Sequence, residues 1–76
     1  MTPKNHYSAD AKWLEDRFGE LCGLCGVKAA MSVFDKYSAV YAYAHDKEPV
    51  QHKKDGAARR EANSRLVAVI KNLRKK

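Results

Sequence analysis

Apolar positions recur along this chain at a helical period and resolve into three amphipathic stretches. The first covers residues 8–25. Leu14, Phe18, Leu21 and Cys25 fall on one line with Ala11 and Cys22 beside it, and Lys12, Glu15, Asp16, Gly19 and Gly23 lie opposite. Ser8 is placed to cap this helix, and Asp10 stands in its first turn, where a carboxylate meets the positive end of the helix dipole. Gly26 is expected to stop it in a left-handed conformation.

The second stretch, 27–45, has a wider apolar face made of Val27, Ala30, Met31, Phe34, Tyr37, Ser38, Tyr41 and His45. Such breadth suits a central helix that touches two neighbours. Pro49 and the polar run around it predict a loop over 46–55. The third stretch, 56–75, has Asp55 in position to cap it and a Glu61–Arg65 pair at i,i+4. Ala58, Ala62, Leu66, Val69, Ile70 and Leu73 form its apolar stripe, and Arg60, Ser64, Val67, Lys71, Arg74 and Lys75 its far side. Residues 1–7 read as a flexible arm. Three helices with short links predict a single all-α domain, a small three-helix bundle, or a helical homodimer if one apolar face is left over.

Charge sharpens this picture. The formal net charge is +6, but residues 1–52 hold six basic and seven acidic side chains, whereas residues 53–76 hold nine basic and two acidic. The positive field belongs to one element, which points to a polyanion or an acidic protein surface as partner. No stretch approaches the ~18 uninterrupted apolar residues of a membrane span, and the polar start is unlike a secretory signal. Two cysteines spaced CxxC fit a reducing cytoplasm better than a disulfide-stapled fold.

Candidate chemistry is sparse. Cys22-Gly23-Leu24-Cys25 is the one pair with redox or zinc spacing. A redox CxxC follows a strand and opens a helix, yet the residues before Cys22 read as helix. For zinc, only His45 and His52 remain as further ligands, and a helix over 27–45 carries His45 about 27 Å away along its axis. Core packing is the better role for both thiols. No nucleophile context and no phosphate-cradling glycine loop is present, so the chain reads as non-enzymatic with no cofactor. Tyr37 and Tyr41 share the core face, which favours packing over base stacking, and Tyr43 alone points outward. Residues 17–34 align poorly with a helix-turn-helix, because the second helix would be apolar and nearly neutral.

The basic third helix remains. Cations near a helix C-terminus are favoured by its dipole, which accounts for Arg74 and Lys75. Lys53, Lys54, Arg59 and Arg60 stand at the N-terminal end, where the dipole disfavours them, and this suggests a use for their charge. Lys53, Lys54, Arg59, Arg60, Lys71, Arg74 and Lys75 are therefore the expected phosphate contacts of a small nucleic-acid-binding protein in a regulatory or accessory role, and the basic far side from Arg60 to Lys75 is about 22 Å long. The alternative is an inhibitor or adaptor that docks the same helix on an acidic protein surface.

Overall fold

Sequence periodicity becomes three helices in a computed structural model that describes residues 1–75. These are α1 (Ala11–Cys25), α2 (Val27–Lys47) and α3 (Lys54–Arg74), with no strand among the described residues. The chain is an all-α three-helix bundle. Gly26 alone links α1 to α2. Its φ of 89° and ψ of 163° lie in a region that only glycine occupies without strain. The Gly26 N–H donates to the Cys22 carbonyl at 3.0 Å, and its own carbonyl accepts from the Ala30 N–H at 3.0 Å. One residue thus ends one helix and starts the next.

The link between α2 and α3 is tighter than the expected loop over 46–55. Helix α2 runs to Lys47, a 3-10 turn occupies Gln51–Lys53, and α3 begins at Lys54. Lys54 explains the compaction. Its Nζ donates to the carbonyls of His45 (3.0 Å) and Glu48 (2.6 Å), satisfying acceptors that the C-terminus of α2 leaves unpaired. Asp55 lies inside the first turn of α3 and accepts from the Tyr41 hydroxyl at 3.1 Å; it does not cap the helix.

Leu14 and Leu21 of α1, Ala30, Phe34, Tyr37 and Tyr41 of α2, and Ala58, Ala62, Leu66 and Ile70 of α3 make one buried cluster. Each large aliphatic or aromatic residue here contributes ~1.5–3 kcal/mol by leaving water. The stripes of α1 and α3 thus face inward as their spacing predicts. The wide face assigned to α2 is narrower in fact, since Val27 and Met31 remain 57% and 43% exposed. Both stand at the start of α2, where Ala30 between them is fully buried, so they lie at the edge of the packed face.

Two expectations for the N-terminus are corrected. Ser8 makes no side-chain cap; it opens a 3-10 turn, Ser8–Asp10, whose Asp10 N–H bonds to the Tyr7 carbonyl at 2.9 Å. Residues 1–7 are not a free arm. Pro3 is buried, and Asn5 donates from its backbone N–H to Ser38 Oγ at 3.2 Å and from Nδ2 to the Ser38 carbonyl at 3.4 Å. The buried Ser38 needs those partners, and the segment that supplies them is held along α2.

Candidate nucleic-acid interface

Ion pairs between Asp10 and Arg59, and between Glu20 and Arg74, show that α1 runs parallel to α3 and antiparallel to α2. They also divide the seven cations singled out in the sequence. Lys54 caps α2. The Arg59 Nε and Nη2 donate to the two carboxylate oxygens of Asp10 at 3.0 and 2.5 Å, and its guanidinium lies 4.8 Å from the centre of the Tyr7 ring. Arg74 is paired with Glu20. Three of the seven thus have intramolecular partners, and the charge at the start of α3 is explained in part by folding alone. Lys53, Arg60, Lys71 and Lys75 are different. All four are exposed, and none has a carboxylate at ion-pair distance among the described residues.

Successive residues of a helix turn by 100°, which places Arg60 and Lys71 of α3 within about 20° of each other, on the side opposite Ala58, Ala62, Leu66 and Ile70. Lys53, in the turn before α3, and Lys75, just past its end, flank this line. Both acids of α3 are engaged elsewhere. Asp55 faces Tyr41 and His45, with His45 Nε2 3.4 Å away, and Glu61 accepts from Arg65 Nε at 2.9 Å. The outward surface of α3 is therefore a ridge of positive charge with no free carboxylate on its crest. The exposed positions of α1 and α2 mix Lys12, Lys28, Lys36 and Lys47 with Glu15, Asp16, Asp35 and Asp46.

Beneath the ridge, Asp10 anchors a polar network that no local pattern announced. It is 7% exposed and accepts from Asn63 Nδ2 at 3.2 Å as well as from Arg59. Asn63 in turn accepts from the Tyr37 hydroxyl. Burial, then the negative charge of Asp10, pushes the Tyr37 hydroxyl up to about 12. Tyr41 is likewise pushed up to about 12, by burial first and then by its bond to Asp55. Both phenols therefore stay protonated at neutral pH and act as hydrogen-bond donors that set the spacing of α2 and α3.

Both cysteines are free and half-buried against the core. They occupy the last turn of α1, the end opposite to that used by a redox CxxC, and the Cys25 thiol donates to the Leu21 carbonyl at 3.1 Å. Among the described residues no three His, Cys, Asp or Glu side chains are grouped to hold a metal ion. Nor is any helix there long and apolar enough to cross a membrane. No protein-family model, curated protein or solved structure matches the chain.

Proposed function

We propose that this protein binds nucleic acid through the outward face of α3 and serves in a regulatory or accessory role. One observation carries the reading: Arg60 and Lys71 stand exposed and unpaired on one face of α3, Lys53 and Lys75 flank its two ends, and both acids of the helix are engaged elsewhere. Lone surface lysines are usually only solvated. Here the helix keeps its positive side chains together and directs its carboxylates away from them, an arrangement that costs self-repulsion unless a polyanion neutralises it. Lys53, Arg60, Lys71 and Lys75 are the direct phosphate contacts. Arg74 adds to the field while bonded to Glu20, and Lys54 and Arg59 serve the fold.

Each phosphate neutralised on B-DNA gives a slope of about −0.9 in log K against log salt, so four contacts predict about −3.6. The double change Arg60→Glu and Lys71→Glu removes two of them and should reduce the slope to about −1.8, weakening binding to all sequences alike. Lys12→Glu, on the exposed side of α1, should leave the slope near its parent value. Titration of a labelled duplex at several salt concentrations measures all three. Absence of binding at low salt, or a double variant that binds like its parent, sinks the reading.

A second reading is supported by a different surface. An open trough runs between α2 and α3, floored by Val33, Val40, Ala62, Leu66 and Val69, and no α1 residue lines it. Such a trough suits an inhibitor or adaptor that receives a helix of another protein. A single stoichiometric protein captured from host extract, with no affinity for nucleic acid, would favour it.

A further inference from the structure

The crest of α3 is not uniformly charged, and the interruption has a definite size. Arg60 and Lys71 are eleven residues apart, about 17 Å along the helix axis at the standard rise. Between them the outward positions are Ser64, Val67 and Ala68, all exposed and none charged. Glu61 and Arg65 fall on the flank beside the α2–α3 trough and are bonded to each other. Val67, 37% exposed, is the one large apolar side chain of α3 left in water among the described residues.

A B-DNA major groove is about 12 Å wide and admits one α-helix. A helix laid along it needs cations at both ends to reach the phosphates of the two walls, and short side chains between them to let the backbone approach the base edges. The outward face of α3 and the residues flanking it have that order: Lys53 in the turn before it and Arg60, then Ser64, Val67 and Ala68, then Lys71 and, just past the helix end, Lys75. About half of its circumference is free, because the buried residues occupy only the opposite side.

We infer that α3 is a major-groove reading helix for duplex DNA, with Val67 meeting the 5-methyl group of a thymine and Ser64 bonding a neighbouring base edge. The inference rests on the nucleic-acid reading above and narrows it. Apolar contact with the thymine methyl is one of the ways a helix tells thymine from other bases, and a serine hydroxyl can donate or accept. Duplex RNA is excluded as the preferred partner, since its deep, narrow major groove does not admit side chains.

The test selects binding sites from a randomised duplex library with the full chain, then replaces each thymine of the enriched site by uracil, which deletes only the methyl. The parent should bind about fourfold more weakly at one such position, the factor expected from burying one methyl-sized group. Val67→Ala should abolish that discrimination and leave the salt slope unchanged. Val67 is exposed, so the variant keeps its fold, and its helical circular dichroism confirms this.

Four results would overturn the inference: no enriched sequence, an enriched site without thymine, thymine–uracil discrimination that survives Val67→Ala, or duplex RNA bound as tightly as duplex DNA. Steep, salt-dependent binding to every duplex alike would sink this inference and leave the phosphate-backbone reading standing. No binding to any nucleic acid would sink both.

Discussion

Toward the α2–α3 turn the bundle is tied by polar side chains, whereas toward Gly26 it meets through apolar rings and one ion pair. In the first half, Tyr7, Asp10, Arg59, Asn63 and Tyr37 form a linked set, and Tyr41, Asp55 and His45 form another beside it. In the second, Phe18 packs on Phe34 with ring centres 5.0 Å apart, and Arg74 reaches the largely buried Glu20. Hydrogen bonds are directional, so the polar half specifies how far each helix slides past its neighbours. Apolar contact is indifferent to small shifts, so the other half supplies free energy without a precise register. Leu24, Val27 and Met31, all exposed, belong to this less specified end.

Substitutions that separate these roles can break the comparison. The largest effect is expected from Phe34→Ala, which should cost ~3–5 kcal/mol through lost burial and an unfilled cavity, close to the whole margin of so small a domain. Denaturant unfolding measures it; a cost under ~1 kcal/mol would mean that the apolar half is not the main source of stability. Next is Asp10→Ala, which leaves the Asn63 amide without its acceptor and should cost ~1–3 kcal/mol. Its stronger signature is loss of register, visible as altered amide shifts along both α1 and α3. A response confined to the first turn of α1 would show that Asp10 does not coordinate the helices.

Alkaline titration sharpens the same contrast. Tyr37 and Tyr41 ionise at about 12 in the fold, against an ordinary value of 10.0. Below pH 10 both are neutral in folded and unfolded chains alike. Between about pH 10 and 12 the unfolded chain loses these protons first, so stability falls as pH rises through that window. Tyr37→Phe should make the fall shallower, and the melting midpoint followed across that range reports it. A parent whose midpoint is flat from pH 10 to 12 would contradict the burial of these phenols. The smallest effect is expected from Met31→Ser. This residue is 43% exposed, and the change should stay within ~0.5 kcal/mol. A larger loss would place Met31 in a contact that a lone chain does not make.

The parts of the fold that were readable in the sequence are those set by one helix at a time. The stripe of Leu14, Phe18 and Leu21 and that of Ala58, Ala62, Leu66 and Ile70 follow from helical period alone, and both face the core or its margin. What the period does not contain is how much of an apolar face its neighbours cover. Val27 and Met31 carry the apolar signal and still lie outside, while Ala30 between them is buried. The same limit governs the candidate site. Lys54, Arg59 and Arg74 resemble Lys53, Arg60 and Lys71 by type and spacing, but their partners are backbone carbonyls across a turn and acids 49 and 54 residues away. Asp10 gave no hint of its part, since its position near a helix start is fully explained by the dipole.

Gly26 raises a question of handedness. Its two chain neighbours apart, no atom lies within 4 Å of where a β-carbon would sit, so the position is closed to other residues by backbone torsion and not by crowding. An L-alanine there must occupy a conformation disfavoured by ~1–3 kcal/mol. A D-alanine, whose map is the mirror image, finds the same φ of 89° and ψ of 163° at the margin of its extended region. It would also restrict the unfolded chain, a gain of ~0.4–1 kcal/mol. Glycine at this corner stands in for a D-residue that translation does not supply.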